Sequence, residues 1–414
     1  MPTLRSHFHK VKRDQNKVTT VYLKKGKEEP VRRKHPWVFS GAIHHLEKEV
    51  KDGEMVQVAD IKGNFLGSGH FHHGSIAVRL LSFEESLNPL EAPFWRVRLQ
   101  NAKQVRSACG IPKQGETSAY RLIHGEGDGL SGLVIDIYGT TAVVQCHSIG
   151  MHLQMGLIRD ALVEVFGKEL IQIYDKSAES LPGNYAKTIQ NGVIWSAGDP
   201  VESAVVLENG VRFKVDWVTG QKTGFFLDQR DNRQLLASFV AGKTVLNTFC
   251  YSGGFSCYAL MAGAKLVHSV DVSAKAMELT AENVQLNAPF NGVHEGFTAD
   301  VPLFLKSSDQ KYEVVVVDPP AFAKSMDKRH NAVQGYKRLN IAALQKVEPG
   351  GILFTFSCSQ VIDRELFYHT IAAAAIEAGR NVRVLHHLTQ GPDHPVSMFH
   401  PEGAYLKGLV LHVG

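Results

Sequence analysis

Between residues 245 and 360 the chain repeats one pattern, a short apolar run that breaks abruptly into small or polar residues. VLNTFC opens into YSGGFS at 251–256, and LVHSVDVS ends on Asp271 and Ser273. EVVVVDPPAF carries Asp318, and ILFTFSCSQ carries Cys358. Uninterrupted apolar runs of this length predict buried parallel strands, each delivering a loop at its carboxyl end, where open α/β sheets bind ligands. Helical spacing fills the gaps: LDQRDNRQLLASFV from near Asp228, FSCYALMAG, SAKAMELTAENVQLN, RLNIAALQKV and ELFYHTIAAAAIEAG. LKGLVLHV is a last strand. Repeated βα units of this kind imply a parallel sheet wound in the right-handed sense.

Upstream the pattern is different. Residues 18–90 alternate short apolar runs with glycines and charged pairs (VTTVYLKKG, HPWVFSGAI, MVQVADIKGNFLGSGHF, SIAVRLLSF), which predicts a small β-rich module. Residues 91–204 read as a central α+β module: a helix through FWRVRLQNAKQVRSAC, two or three strands in YRLIHGEGDGLSGLVIDIYGTTAVVQCHS, a helix through MHLQMGLIRDALVEVF, and a strand at ELIQIYDKS. VVLENGVRFKVDWV places Asn209-Gly210 between alternating runs, a strong hairpin signal. That hairpin opens a C-terminal α/β domain spanning 205–414.

The length of 414 residues calls for more than one core, and 44% hydrophobic with 21% charged residues fits a soluble globular chain. No apolar run reaches the roughly 18 residues of a membrane span, and the basic start has no apolar signal-peptide stretch, so a cytoplasmic protein without membrane contact is expected. Five scattered cysteines without CxxC pairs suit reduced thiols, and no metal site is expected. The first 51 residues hold 13 Lys/Arg against 5 Asp/Glu, whereas the remainder is slightly acidic. A local basic excess can pair with phosphates, although residues 1–17 read equally as a disordered basic tail.

The candidate chemistry sits after the strands. Gly253 and Gly254 in NTFCYSGGF let backbone approach a ligand at a helix start, and Asp271, 18 residues on, is placed to accept the ribose hydroxyls of a nucleoside. The alternative is a structural turn with a capping aspartate. Asp300, after GFTA, is in register to meet an adenine. Asp318-Pro319-Pro320 is a stiffened loop lacking two backbone donors, suited to presenting a carboxylate and carbonyls to a planar base. Cys358 can attack an electrophilic carbon if an acid activates the substrate, though free cysteine is also a common buried hydrophobe.

RRKHPWVFSGAI, GNFLGSGHF, YRLIHGEGDGLSGLVIDIYG, KTGFFLDQRDNR, NTFCYSGGFS, DPPAF and SCS, in this order, resemble the ribosomal RNA large-subunit methyltransferase I family, over nearly everything after residue 17. The resemblance implies a PUA-like RNA-binding module followed by a class I (Rossmann-like) methyltransferase sheet. It implies S-adenosylmethionine as methyl donor and C5 of a cytosine in 23S rRNA, free or partly assembled, as acceptor. Gln229, Arg230, Asn247, Phe249, Tyr251, Ser252, Gly253, Asp271, Ser273, Asp300 and Asp318 would line the donor. Cys358 would be the nucleophile and Asp318 its acid partner. Arg32, Arg33, Lys34 and His35 would meet RNA phosphates, and similar proteins form homodimers. Ala321 stands where many RNA cytosine-C5 enzymes carry a second cysteine, which leaves the base that removes H5 unassigned. A guanine N2 or N7 methyltransferase on the same fold, and an RNA-binding factor without catalysis, are the alternatives. A nicotinamide dehydrogenase fits less well, given the absent GxGxxG.

Overall fold

The computed structural model describes residues 18–414, so the basic tail expected at 1–17 lies outside the described residues. The chain divides into two compact units, one ending at Glu91 and one spanning Ala92–Gly414.

The first unit is a six-stranded sheet of β1 (Thr19–Leu23), β2 (Trp37–Phe39), β3 (Ile43–Leu46), β4 (Met55–Ala59), β5 (Phe65–Phe71) and β6 (Ile76–Ser82), with helix α1 (Glu29–Arg32). The spatial order is β2-β6-β5-β4-β1-β3. Alternating positions such as Val21, Leu23, Val56, Val58, Val78 and Leu80 close one core.

The second unit opens with helix α2 (Ala92–Ala108) and the strands β7 (Ala119–His124), β8 (Leu133–Tyr138) and β9 (Thr141–Cys146). Helices α3 (Ile149–Leu153) and α4 (Met155–Phe166) share the stretch expected to be one helix. Then come β10 (Gln172–Asp175), α5 (Gly183–Ala186) and β11 (Gly192–Ser196), giving a sheet ordered β11-β10-β9-β8-β7. The hairpin is β12 (Ser203–Glu208) with β13 (Val211–Asp216), and both turn residues are left-handed, Asn209 at φ 49° and Gly210 at φ 82°. Positive φ at both central positions matches the right-handed twist of the paired strands. Phe213, Val215 and Trp217 of this hairpin pack into a core with Tyr138 and Val143 of the central sheet and Val245, Val267 and Phe354 of the last one.

The last sheet has seven strands, introduced by helix α6 (Arg230–Ala237). They are β14 (Thr244–Thr248), β15 (Leu266–Asp271), β16 (Val293–Thr298), β17 (Tyr312–Val317), β18 (Val347–Ser357), β19 (Val382–Leu388) and β20 (Lys407–Val413). Helices α7 (Gly254–Met261), α8 (Ala274–Leu286), α9 (Val301–Ser307), α10 (Arg329–Lys346) and α11 (Arg364–Glu377) connect them. The order is β16-β15-β14-β17-β18-β20-β19. The wholly parallel sheet expected from the βα repeats needs one correction, because β20 runs antiparallel between β18 and β19. Its register pairs Lys407 with Ser357. The start of β20 therefore lies at the same sheet edge as the carboxyl end of β18, and that edge carries the site.

Candidate active site

The strand ends deliver the expected loops to one edge. After β14 the chain turns through Phe249 (φ 55°), Tyr251 (φ 48°) and Gly253 (φ 75°) before α7 begins. Two left-handed non-glycine residues in three positions store strain that surrounding contacts must hold. Those contacts are specific. Asp271 accepts from the Tyr251 backbone N–H at 3.0 Å and from that of Ser273 at 2.9 Å. Thr280 Oγ1 donates to the Tyr251 carbonyl (2.8 Å), and Asn283 donates to the Ser252 carbonyl (2.9 Å). The Tyr251 hydroxyl donates to the Gly224 carbonyl (3.2 Å) and accepts from the Gln221 N–H (3.0 Å), joining the KTGFF segment to the loop. A Cβ at Gly253 would stand 2.7 Å from Thr280 Cγ2, so the turn leaves no room for a side chain.

The proposed donor-lining residues are not equally placed. Phe249, Tyr251, Gly253 and Asp271 share this turn and its anchor. Ser273 caps α8 by accepting from the Ala276 N–H (3.3 Å), and exposed Asp300 caps α9 by accepting from the Leu303 N–H (3.0 Å). Asn247 and Ser252 are closed to solvent. Asn247 Nδ2 donates to Ser256 (2.8 Å), and its Oδ1 is buried without a partner among the described residues. Arg230 is held by Asp393 at 2.6 and 3.0 Å, which turns its guanidinium into a buried ion pair. Asn247 and Arg230 are thus both buried and held by side-chain partners, Ser256 and Asp393.

Asp318, just beyond β17, accepts from Gln229 Nε2 at 2.9 Å. Burial, followed by the charge of Asp228, pushes its carboxyl up to about 7, partly offset by the Gln229 hydrogen bond. Cys358, just beyond β18, is half-buried and lines a pocket of about 260 Å³ with Ala321, Ala323, Lys324, Gln360 and Tyr405. Asp318 is not among the lining residues, but its loop and the cysteine loop are tied together, because Ser359 Oγ donates to the Ala323 carbonyl at 2.6 Å. Burial, then the charges of Asp318 and Asp228, pushes the Cys358 thiol up to about 11, while Lys407 pulls it down. Cys358 is therefore a thiol at rest.

Three groups at this edge lay outside the sequence reading of the site. Lys407 is buried and donates to the carbonyls of Ser359 and Ile362, both at 2.6 Å, bracing the loop that follows Cys358. Desolvation brings its ammonium down to about 8. Tyr405 donates to Asp228 Oδ2 at 2.6 Å, and Asp228 Oδ1 is buried with no partner among the described residues. The one available signal was position: Asp228 is the second residue of the LDQRDNR motif, Tyr405 lies two residues before the final strand and Lys407 begins it.

In the first unit, Arg32 donates to Asp60 (2.8 Å) and Lys34 lies 4.8 Å over the Phe83 ring. His35 Nδ1 accepts from the Trp37 N–H (3.2 Å), and Arg33 is exposed. Among the described residues no helix is long and apolar enough to cross a membrane.

A strained turn closed to side chains, backed by a carboxylate at the next strand end, fits a nucleoside-bearing ligand such as S-adenosylmethionine. The family model described as S-adenosylmethionine-dependent methyltransferase matches residues 184–410, and one described as a PUA-like domain matches 21–83. Ribosomal RNA large subunit methyltransferase I of Aeromonas hydrophila is 39% identical over 397 residues, covering 95% of this chain and 98% of that protein. The protein of the same name from Klebsiella pneumoniae is 38% identical over 395 residues, covering 94% and 97%. A crystal structure described as a methyltransferase complexed with SAH has a TM-score of 0.81 at 23% identity, covering 95% of this chain and 99% of that one, which shows a shared fold.

Proposed function

We infer the reaction from one premise: this chain belongs to the ribosomal RNA large subunit methyltransferase I family and is an S-adenosylmethionine-dependent methyltransferase. The reaction we propose is methylation at C5 of a cytosine in 23S rRNA through a covalent bond between Cys358 and C6. The carrying observation is that Cys358 lines an open pocket beside the Asp-Pro-Pro loop, to which Ser359 joins it.

Phe249, Tyr251, Gly253 and Asp271 would hold the donor, with Asp271 at its ribose. Bound S-adenosylmethionine supplies an electrophilic methyl group. Cytosine C5 is too weak a nucleophile to take it unaided. A carboxyl that titrates near neutrality can donate a proton to N3, which makes C6 electrophilic. Cys358 then gives up its proton to solvent in the open pocket and adds to C6, and C5 becomes the electron-rich carbon of an enamine. After methylation H5 is removed, the C5–C6 double bond reforms and Cys358 leaves. The target cytosine must be flipped or single-stranded to reach the pocket. In the PUA-like module, exposed Arg33 is the readiest of the four candidate phosphate contacts, whereas Arg32 must share its guanidinium with Asp60. An rRNA substrate places the protein in the cytoplasm.

Exposed Phe322, packed on Tyr336 at 4.5 Å, would also suit stacking beneath a guanine in an exocyclic-amine or ring-nitrogen enzyme. Nucleoside mass spectrometry after incubation of unmodified 23S rRNA with donor and enzyme separates the two. We expect 5-methylcytidine from the wild type and none from C358S. Methylguanosine formed by both proteins would overturn the reading.

A further inference from the structure

The reaction inferred above needs a base for H5, and Ala321 leaves its position in the Asp-Pro-Pro loop empty of one. The pocket around Cys358 narrows the choice. Ala321 and Ala323 have no proton acceptor, and the Gln360 amide is not a base. Lys324 is exposed, and its ammonium has three donors and no acceptor. Asp318 is engaged with Gln229 and is spent on N3. Tyr405 remains, and behind it stands a carboxylate. The Tyr405 hydroxyl already points its proton at Asp228 Oδ2 over 2.6 Å. The other oxygen of Asp228 is buried and unpartnered among the described residues, so the carboxylate has acceptor capacity that the fold does not use. Leaving a carboxyl oxygen buried and unsatisfied is costly, and such groups call for a reason beyond packing.

We propose that Tyr405 and Asp228 form the relay that removes H5, with Tyr405 the catalytic residue that meets the C5–H bond and Asp228 the positioning residue that takes its proton. This rests on the C5 reading above. In the step, the C5–H bond breaks and the proton passes to Tyr405 Oη. The phenolic proton passes to Asp228, and the C5–H electron pair forms the C5–C6 double bond. The C6–S bond breaks, and its electron pair leaves with Cys358 as thiolate. Asp228 then releases its proton to solvent.

Burial and the Asp228 charge hold the Tyr405 phenol well above its ordinary value, and the 2.6 Å hydrogen bond gives its proton a direct path to Asp228. Arg121 lies near both Tyr405 and Asp228 but is bidentate to Asp136 at 2.8 and 2.9 Å, and the His124 ring tilts over Tyr405 at 5.9 Å. Neither competes for the Tyr405 proton.

The test uses the full-length enzyme, rRNA and donor labelled in its methyl group, and asks where the reaction stalls. Y405F removes one oxygen and D228N one charge. Each should transfer about one methyl group per enzyme and then stop, with turnover down by at least ~10²-fold. Label should accumulate in a covalent protein–RNA band that survives denaturation and disappears in Y405F/C358A. Three results would overturn the inference: wild-type turnover in Y405F, loss of the first methyl transfer, or slow turnover without a trapped band. Failure of wild-type enzyme to make 5-methylcytidine would instead defeat the underlying reading, and the relay with it.

Discussion

Replacing Asp318 with Asn should make this protein more stable at pH 8 while abolishing its activity. Asp318 is held up to about 7 from an ordinary 3.8, first by burial and then by Asp228. The folded state therefore keeps a proton that the unfolded chain has lost across the window from about 4 to about 7. Since stability rises with pH only where the unfolded state binds more protons, stability here falls as pH climbs through that window and levels off above it. The window spans roughly three pH units at about 1.4 kcal/mol each, so ionised Asp318 costs the fold up to about 4 kcal/mol at pH 8. Asn has the same shape and no charge. Its carbonyl can still accept from Gln229 Nε2, whose orientation is fixed because Gln229 Oε1 accepts from Asn232 at 2.6 Å.

The assay is urea or thermal denaturation of wild type and D318N at pH 4, 6 and 8, without donor or RNA. The two should coincide near pH 4 and separate steadily. D318N should melt on the order of 5–8 °C higher at pH 8, with methylation reduced at least ~10²-fold. A difference independent of pH, or a D318N protein less stable than wild type at pH 8, would refute the reasoning.

Three further outcomes follow from the same geometry. G253A should weaken donor binding by at least tenfold in calorimetry, because its methyl group meets Thr280 at 2.7 Å in a left-handed turn. K407M removes a cation that pulls the Cys358 thiol down, so the alkylation rate of Cys358 by iodoacetamide should reach its half-maximum at higher pH than in wild type, whereas K407R should restore it. In D393N the buried ion pair with Arg230 is broken, which should cost about 3–5 kcal/mol. Asp393 is destabilised as an anion by burial, but His394 and Arg230 outweigh this and hold it far below its ordinary value. Its contribution is thus present above about pH 4 and lost on acidification, so wild type and D393N should converge in acid.

The parts of the site that could be read in advance are those set by local pattern. VVVVDPP and ILFTFSCS announce buried strands and the residues that follow them, and the structure puts Asp318 and Cys358 at those strand ends. What stayed hidden depends on topology or on long sequence separation. Strand β20 pairs antiparallel with β18, and only that pairing brings Tyr405 and Lys407 beside Cys358. Asp228 and Tyr405 are 177 positions apart, and Arg106 and the Asp393 carbonyl 287 apart, so no periodicity links them. Strand β19, VRVLHHL, lies at the sheet edge with four of seven side chains exposed, so its polar positions dilute the apolar signal. Asp300 shows the opposite limit: a carboxylate after a strand is as well suited to capping the next helix, and here its Oδ1 does so.

Catalysis by this route requires the sulfur of Cys358 to bond to a pyrimidine. Short 23S rRNA fragments carrying 5-fluorocytidine, whose C5 substituent cannot be removed as a proton, should stall the wild-type enzyme in a donor-dependent covalent complex. Tandem mass spectrometry of the digested complex should place one methylated fluoropyrimidine on the peptide containing Cys358. No complex at all, or one borne by Cys109, Cys146, Cys250 or Cys257, would contradict the assignment.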